Sequence, residues 1–599
     1  MASADNSPSI IPIRASQALQ MRRRPRRALR YAQRMAESRG MLRGLATVAL
    51  ATSLVAQSPS TDVAVGVFPF LVGNMDSRIP EIVTNCQTYG IDTLYVSAFR
   101  ATGPSTGDLW VTDSAGDWDP AWGAVRSTGA GIHLQNLITA CHNANIRVVA
   151  VMKCFSDNVQ PDNAAHKQYL LNVIDYFVDA WQANGQPVYD LDGIALDYIR
   201  YVGGTNVNAA NVTNFLADVR QRIGSLSLHA YLIASRFTFD GPTYDGNFNS
   251  YTATMNSLTA QYGQNWQQFA QHVDVLMPMA YSANGSIYNT YALHQAYVRK
   301  TAEYARQACT AAGFPARRVQ PTVKTYSGEG ETTTTMTIEA SITGALLGGG
   351  DGYQSFRYQF LVNNPTWWTK MAQFAVPGCN WPRPRFSATL SRLTGVFDPT
   401  QTLDSDQAAS TLQVRYDYDG DRVFDTLWLP NIAGSRLARN PGTYVATMQA
   451  RDSDGHVSTT RRRYTAGSAV TVAPPTVSTA TGGQVQIQID VGAAGAGNVY
   501  LAIASISGTS PGFFWQPGFQ VPLNIDGVTT LLASDPNGGL LANGLGNLDA
   551  QGRGTATLTI PPAALTFLAG LPIWWNFLSQ TPAGAAACFG DSKQMTLTL

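Results

Sequence analysis

Eight apolar runs alternate with amphipathic segments between residue 63 and about residue 360. The runs are rich in aliphatic and aromatic residues, as is typical of strands buried on both faces of a parallel sheet. The segments between them carry apolar residues at helical spacing. The predicted strands are 63–70, 93–99, 147–155, 191–201, 229–239, 273–281, 319–326 and 352–360. The predicted helices include 79–89, 133–144, 166–181, 211–223 and 291–312.

This alternation fits a (β/α)8 barrel better than an open doubly wound sheet. No G-x-G-x-x-G follows a predicted strand, which disfavours a dinucleotide-binding domain. Residues 61–383 are therefore predicted to form an α/β TIM barrel. The stretch 101–131 is interpreted as a long loop, and loops of this length are usually functional or disordered. Its three tryptophans argue against disorder.

The remainder of the chain has short runs in which apolar and polar residues alternate, separated by turn signals. This pattern predicts a β-sandwich over residues 384–466 and a second one over residues 482–599. Between them, the segment 467–481 is rich in Pro, Ala, Ser, Thr and Val and is interpreted as a linker. The predicted architecture is thus a barrel followed by two all-β sandwich domains.

The first sixty residues have a different character. Six arginines between positions 22 and 30 precede an uncharged stretch from residue 44 to residue 56. This order is typical of a secretory signal peptide, so residues 1–60 are predicted to be an N-terminal extension with a signal peptide. We expect the protein to be secreted or held at the cell surface, without a membrane span. A start at Met41 or a nucleic-acid-binding arm are the alternatives.

Charge and cysteine usage exclude several function classes. The chain has 41 Lys and Arg against 40 Asp and Glu, but residues 1–56 hold ten of the arginines and only two acids. The rest is mildly acidic, so no nucleic-acid partner is predicted. The six cysteines and seven histidines show none of the spacings of a zinc site. We predict no catalytic metal or cofactor, and we expect a monomer.

The stretch 190–201, D-L-D-G-I-A-L-D-Y-I-R-Y, carries the main functional signal. Strand alternation places Asp197 on the same face as Gly193 and Ala195. If this face lines the barrel, Asp197 lies at the C-terminal mouth, where such barrels carry catalytic groups. The alternative is that Asp197 caps the following turn or pairs with Arg200. A carboxylate that ends an apolar strand is costly to bury, which favours catalysis.

The letters D-G-I-A-L-D-Y-I-R-Y, beginning at Asp192, resemble the fourth-strand motif of glycoside hydrolase barrels related to glycoside hydrolase family 18. M-P-M-A-Y in the sixth predicted strand resembles another motif of that group. In the chitinase pattern D-x-x-D-x-D-x-E, Asp192 and Asp197 match, but Ala195 and Ile199 replace the middle aspartate and the catalytic glutamate. The resemblance therefore implies glycosidic cleavage with Asp197, without the substrate-assisted chitinase mechanism.

Glycoside hydrolysis usually requires two carboxylates. Asp240, just beyond the fifth predicted strand, is the first choice for the second one, although a solvated loop acid explains it equally well. Asp157, Asp245, Glu329 and Glu331 stay open as alternatives. The sequence does not give the distance between the two carboxylates, so it predicts neither retention nor inversion.

Cations and aromatic residues also cluster at the ends of the predicted strands. The cations are Arg100, Lys153, Arg200, Arg236, Lys324 and Arg357. The aromatic candidates for stacking on sugar rings are Trp110, Tyr198, Tyr201, Tyr281, Tyr326 and Tyr358. Some cations would pair with nearby acids, and the others would bind carboxylate or sulfate groups. The predicted partner is therefore an anionic polysaccharide that is sulfated or contains uronic acid.

The first predicted sandwich contains Y-D-Y-D-G-D-R-V-F-D-T, followed by P-G-T-Y-V-A-T-M-Q-A-R-D-S-D-G. This resembles a polycystic-kidney-disease-type (PKD) domain, an immunoglobulin-like spacer that is common in secreted carbohydrate-active enzymes. Asp417, Asp419 and Asp421, together with Asp425, are hard oxygen ligands that would suit a structural calcium ion. Turn chemistry beside Gly420 explains the same acids equally well.

Together, these features predict a secreted, endo-acting glycoside hydrolase that uses Asp197 and Asp240. A polysaccharide-binding protein on a barrel that has lost activity is the first alternative, because the chitinase glutamate is missing. A polysaccharide lyase is the second alternative.

Overall fold

The computed structural model describes residues 62–67, 75–111, 118, 121, 123–155, 159–178, 189–202, 206–234, 248–281, 290–327, 332–373, 381–404, 407–516 and 519–599, apart from the side chains of 126–132. The predicted signal peptide lies outside these residues. None of the described helices combines the length and the apolar character that crossing a bilayer would require.

Eight parallel strands close into a barrel, as predicted. Each strand pairs with the next along the chain, and the first strand pairs with both the second and the eighth. A short segment, Arg318–Val319, pairs with the sixth strand just before the seventh begins, and Pro321 separates the two because it has no N–H to donate. The barrel strands are Asp62–Val67, Thr93–Gly103, Arg147–Lys153, Gly193–Asp197, Ser227–Ile233, Val275–Met279, Thr322–Lys324 and Gly352–Phe356.

Helices surround the strands and bury the outward-facing side chains of the sheet. Ile194 and Leu196 of the fourth strand belong to this outer core, as strand alternation predicts. The helices of the barrel are Ile79–Thr88, Leu134–Asn143, Ala164–Val178, Ala209–Ile223, Tyr251–Tyr262, Trp266–Phe269, Tyr291–Ala311, Thr335–Leu347, Tyr358–Leu361 and Pro365–Ala372.

The barrel interior combines a small apolar cluster with buried polar side chains. Ala195 lies in the apolar cluster, among valines of the third strand. The Tyr95 hydroxyl lies 2.8 Å from His229 Nδ1 and donates to Gln320 Oε1 at 2.8 Å. Burial lowers the pKa of His229 to about 3, so this histidine is neutral at physiological pH. Hydrogen bonds therefore join these buried polar side chains inside the barrel, whereas Gln320 Nε2 has no hydrogen-bond partner among the described residues.

The stretch 101–131 differs from the predicted loop because it contains two further strands. Thr106–Val111 pairs antiparallel with the second barrel strand, and Ala124–Ile132 pairs parallel with Thr106–Val111. The barrel sheet is thereby extended beside the second strand. Alternation in this stretch is weak, and the tryptophans that argued against disorder did not by themselves indicate strands.

The described residues of the C-terminal part form β-sheets, with one α-helix, Gly527–Ser534. A three-stranded and a four-stranded sheet contain Ser387–Ser391, Thr394–Asp398, Gln413–Asp417, Leu429–Pro430, Gly434–Leu437, Gly442–Arg451 and Val457–Ala466. Three further sheets contain Val470–Ala473, Thr476–Ser478, Gly483–Asp490, Val499–Ser505, Phe513–Gln516, Phe519–Val521, Leu541–Ala542, Leu545–Asn547, Arg553–Ile560, Pro572–Gln580, Ala586–Phe589 and Lys593–Thr598. The predicted linker 467–481 thus contains two strands that pair within the last sheets.

Asp192, the first acid of the fourth-strand motif, lies at the opposite end of the barrel from Asp197. Its carboxylate is 2% exposed and accepts the backbone N–H groups of Val148 at 2.7 Å and Arg461 at 2.9 Å. It also accepts the Thr460 hydroxyl at 3.1 Å and lies 2.9 Å from His142 Nε2. Asp192 therefore joins the barrel to the strand Val457–Ala466.

A charged cluster of Asp190, Asp192 and His142 makes this junction sensitive to pH. Burial alone would lower the pKa of His142, but the two carboxylates outweigh it, so the pKa of His142 is raised. The pKa values of Asp190 and Asp192 are lowered because His142 and neighbouring arginines offset the cost of burial. Each shift means that the folded state favours the charged forms.

The cluster should stabilise the protein most between about pH 4 and pH 6.5, the ordinary pKa values of the aspartates and the histidine. The contribution of His142 is fully present below about pH 6.5 and is lost as the pH rises through its raised folded-state pKa. The contribution of the aspartates is lost as the pH falls through their lowered pKa values. Melting temperatures of the parent and of His142→Gln across this range test the expectation: the alkaline decline should be shallower in the variant, and equal slopes would contradict it.

Candidate active site

Asp197 ends the fourth strand on the face that carries Ala195 into the barrel interior, as predicted. The Tyr198 N–H donates to Asp197 Oδ1 at 2.7 Å. Burial raises the pKa of Asp197, and the positive charges of Arg200 and Lys153 and the Tyr198 N–H only partly oppose this effect. The carboxyl is half-buried. It is therefore a partly desolvated acid at the mouth of the barrel, which is the usual position of catalytic groups in this fold.

The register of the sheet aligns three predicted site residues. Arg100 pairs with Lys153, and Lys153 pairs with Asp197, on the second, third and fourth strands. A bulge between Ser97 and Phe99 brings Arg100 into this line. Bulges that redirect a side chain are frequent next to active sites. Because adjacent strands lie about 4.8 Å apart, the backbone of Lys153 lies about one strand spacing from that of Asp197, and the backbone of Arg100 lies about two.

Arg100 pairs with Asp108, which no sequence pattern indicated. Its Nη2 lies 2.9 Å from Asp108 Oδ2, on the added strand Thr106–Val111. The Asp108 carboxylate is almost fully buried, whereas Arg100 is partly exposed. The charge of Arg100 is therefore largely neutralised, and a substrate would meet this arginine as half of an ion pair.

Tyr198 follows Asp197 with a backbone φ of 54°, a left-handed conformation that is uncommon for a tyrosine. Lys153 Nζ and Arg200 Cζ each lie 4.2 Å from the centroid of its ring. Each contact is a cation–π interaction, and two of them help to hold this strained residue in place. The expected pairing of Asp197 with Arg200 does not take the form of a direct ion pair, since the guanidinium packs on the ring instead.

Arg200 and Lys153 keep unused binding capacity within the described part of the chain. The Arg200 Nη1 group is buried and has no hydrogen-bond partner among the described residues. Lys153 forms no ion pair with a described residue. Its ammonium lies over the Tyr198 ring, and its charge lowers the pKa of Asp197. Among the described residues on this side of the mouth, these two cations outnumber the one carboxyl beside them, and their net charge is positive.

An aromatic group lies at and just beyond the C-terminal ends of the sixth to eighth strands, across the barrel from Asp197. Tyr281 stacks on Phe356 with ring centroids 6.0 Å apart, and Tyr326 stacks on Phe360 at 5.7 Å. The Tyr281 and Tyr326 rings meet edge to face at 6.4 Å. Tyr281 and Tyr326 were predicted as stacking residues. Both phenylalanines were missed, because a phenylalanine in an apolar strand end gives no signal beyond packing.

Two of the predicted cations contact this aromatic group. Lys324 Nζ lies 4.7 Å from the Tyr326 ring centroid, and Arg357 Cζ lies 5.0 Å from that of Phe360. Lys324 is almost fully buried, whereas Arg357 is half-buried. The mouth thus has aromatic rings with attached cations on one side and the cations around Asp197 on the other.

Three predicted sugar-stacking residues are buried elsewhere. Tyr201 packs in the outer core, and its hydroxyl accepts from Asn211 Nδ2 at 3.1 Å. Tyr358 is fully buried, and its hydroxyl donates to Glu81 Oε1 at 2.8 Å. Trp110 is 6% exposed on the added strand. Their surroundings fit a packing role, which the sequence could not separate from binding.

The remaining predicted residues lie outside the described part of the chain. They are Asp240 and Arg236, together with the alternative acids Asp157, Asp245, Glu329 and Glu331. The identity of the second carboxylate therefore stays a prediction.

Tyr231, on the fifth strand, is a neighbour of Asp197 that no sequence pattern indicated. Leu196 pairs with Ala230, so Tyr231 follows in line with Asp197. Gln354 Nε2 donates to the Tyr231 hydroxyl at 2.6 Å, which leaves the hydroxyl proton available to another acceptor. Burial raises the pKa of Tyr231 well above its ordinary value, so this group is a neutral donor at any working pH.

The predicted calcium ligands are only partly brought together. Asp417, Asp419 and Asp425 place carboxylate oxygens within 4.8 Å of one another, but Asp421 does not join them and accepts the Val423 N–H in its own turn. Burial raises the pKa of Asp417 to about 7, whereas Asp419 and Asp425 each pair with an arginine. The donor types suit calcium, but three carboxylates are fewer than the six to eight ligands that it takes. Calcium here stays a prediction.

No protein-family model matches the chain, and the comparison with curated proteins gave no match either. Among solved structures, the glycoside hydrolase domain of PgaB (BpsB) from Bordetella bronchiseptica is similar over 53% of this chain and 100% of that one, with 10% identity and a TM-score of 0.38. The spore cortex-lytic enzyme SleL of Bacillus cereus is similar over 54% of this chain and 77% of its own, with 10% identity and a TM-score of 0.35.

The xylanase and α-amylase inhibitor protein XAIP-II from Scadoxus multiflorus is similar over 53% of this chain and 100% of that one, with 13% identity and a TM-score of 0.31. Each of these three likenesses covers about half of this chain. A fold does not by itself identify an activity, so the function has to be argued from the site.

Proposed function

We propose that the protein is a glycoside hydrolase that cleaves an anionic polysaccharide, with Asp197 as a catalytic carboxyl. The observation that carries the proposal is the surroundings of Asp197. A partly desolvated acid with a raised pKa stands at the end of a barrel strand, beside two cations that have no ion-pair partner among the described residues. Aromatic side chains stand across the same mouth.

The raised pKa suits Asp197 to the role of general acid. A carboxyl with a raised pKa keeps its proton to a higher pH than an ordinary aspartate, and it can donate that proton to the glycosidic oxygen as the bond breaks. A second carboxylate then acts as nucleophile or activates the water that completes hydrolysis. Asp240 remains the first candidate for this group. The rate should fall as the pH rises through the pKa of Asp197, since only the protonated form acts.

Arg200 and Lys153 support an anionic substrate. A guanidinium binds a carboxylate or sulfate through parallel N–H groups, and Arg200 has an unsatisfied buried N–H group. The ammonium of Lys153 adds a positive charge one strand away from Asp197. A neutral glycan would leave both cations without a counter-charge in the complex, whereas a sulfated or uronate polymer supplies one.

A screen of product release tests the proposal directly. The protein is incubated with sulfated and uronic-acid-containing polysaccharides and with neutral glucans, and new reducing ends are measured. Release from an anionic polymer is expected. Cleavage of the neutral glucans alone would refute the anionic substrate, and products that absorb in the ultraviolet would identify a lyase instead.

One observation favours a non-catalytic polysaccharide-binding protein as the second candidate. Ile199, at the position of the chitinase glutamate, is fully buried in the outer core. If binding without any product release is found across the whole panel, this second candidate replaces the proposal.

Lys153→Met should weaken binding of the anionic substrate and raise its KM about tenfold, because one charge-assisted contact is lost. It should also raise the pKa of Asp197 further and move the alkaline limb of the rate profile to higher pH, since Lys153 favours the ionised form. Lys370→Met, which removes a lysine paired with Glu339, is the matched control. Equal KM values for the two variants would contradict the role of Lys153.

A further inference from the structure

A second cavity lies at the end of the barrel opposite Asp197, where the barrel meets the first sandwich. Its volume is about 310 Å³, near the lower limit for small-molecule sites. The barrel contributes the residues just before Arg318, and the sandwich contributes the turn that precedes the strand Val457–Ala466. Its lining residues include Asp274, Phe314, Pro315, Arg317, Trp381 and Val457.

Trp381 is fixed in the wall of this cavity. Arg318 Cζ lies 4.5 Å from the centroid of its ring, and the His456 ring centroid lies 5.0 Å away. The indole is 5% exposed, and its Nε1–H has no hydrogen-bond partner among the described residues. The N–H itself is covered in this structure. A buried donor without an acceptor is costly, and a small shift of the indole that brings the N–H to a ligand oxygen would relieve that cost.

Phe314, in contrast to the buried Trp381, is a large apolar side chain that is 41% exposed beside the same cavity. The Arg317 guanidinium lies 5.0 Å from the ring centroid. An exposed ring next to apolar Pro315 and Val457 suits the C–H face of a sugar.

The two charged side chains that line the cavity, Asp274 and Arg317, form an ion pair. Asp274 receives Arg317 Nη1 at 2.6 Å, Arg220 Nη2 at 2.5 Å and the Leu228 N–H at 2.9 Å. An anion would meet this carboxylate, and a purely apolar ligand would leave the indole N–H unsatisfied. The lining therefore favours a neutral ligand that has both oxygen acceptors and an apolar face.

We propose that this cavity is a second glycan-binding site, which holds an uncharged pyranose unit on Phe314, with the Trp381 Nε1–H donating a hydrogen bond to an oxygen of the sugar. The site is separate from the mouth and needs no catalytic group, so it goes beyond the hydrolase proposal. This site would bind a neutral region of a glycan while the mouth binds an anionic region of the same chain. Two linked contacts bind more tightly than either contact alone.

Saturation-transfer NMR with cellotetraose and mannotetraose, on the full-length Asp197→Asn protein, tests the site without cleavage. At least one of the two tetrasaccharides should bind. Phe314→Ala should weaken this binding about tenfold. Trp381→Phe removes only the N–H and part of the ring, so it should weaken the binding less. Arg200→Ala, at the mouth, should leave this binding unchanged. Melting temperatures verify that each variant is folded.

Two results would overturn the proposal: no binding of either neutral tetrasaccharide, or binding that Arg200→Ala abolishes and Phe314→Ala does not. The second result would place the neutral glycan at the mouth. Neither result depends on hydrolysis, so failure of this site and failure of the proposed activity are distinguishable.

Discussion

Asp197→Asn is expected to reduce the release of reducing ends about 10³-fold, because proton donation by a positioned acid typically contributes 10²–10⁴-fold to the rate. The amide keeps the size of the side chain, and its oxygen can still accept the Tyr198 N–H. Substrate binding should therefore persist while cleavage is lost. Initial rates and binding measured on the same anionic polysaccharide check both parts.

The same variant should be more stable than the parent above pH 4. A raised pKa means that the folded state binds the Asp197 proton more tightly than the unfolded state does. The contribution of Asp197 to the free energy of unfolding of the parent therefore declines as the pH rises past about 3.9, the ordinary value for aspartate. Asparagine does not titrate, so this decline is absent from the variant. Asp490→Asn, at a partly exposed surface carboxylate, is the matched control and should change neither the rate nor the stability appreciably.

Asp192→Ala should cause the largest loss of stability, about 3–5 kcal/mol, the usual cost of removing one partner from a buried charged group. It leaves the Val148 and Arg461 N–H groups without their acceptor and the positive charge of His142 without its closest counter-charge. Denaturant midpoints followed by tryptophan fluorescence measure the effect.

Asp490→Ala is the control for this second prediction, because it removes a more exposed carboxylate that forms longer ion pairs. Its effect should stay below about 1 kcal/mol. If both variants unfold at the same denaturant concentration, Asp192 does not hold the barrel and the sandwich together.

The barrel itself was predictable because each strand is a continuous apolar run between helical segments. The fourth strand shows how far this reasoning extends. Alternation placed Asp197 inward and at the mouth, and the structure confirms that placement. The same reasoning could not assign Asp192 a role, because its partners Thr460 and Arg461 lie 268 and 269 residues away along the chain.

The environment of the cations was less predictable than their position. Lys153 and Arg200 do lie beside Asp197, as their places at strand ends suggested. Their packing against Tyr198 depends on a left-handed backbone conformation that nothing in a tyrosine side chain encodes. Asp108 was missed as the partner of Arg100, because it lies on a strand within the stretch interpreted as a loop.

Digestion of an anionic polysaccharide in water enriched in ¹⁸O, by the parent and by Asp197→Asn at equal concentration, tests the central claim most directly. Mass spectrometry of the products from the parent should show one heavy oxygen at each new reducing end, because hydrolysis adds the oxygen of water there. The variant should give almost no product. Unsaturated products without heavy oxygen, or equal cleavage by the two proteins, would contradict the assignment of Asp197 as the catalytic acid of a glycoside hydrolase.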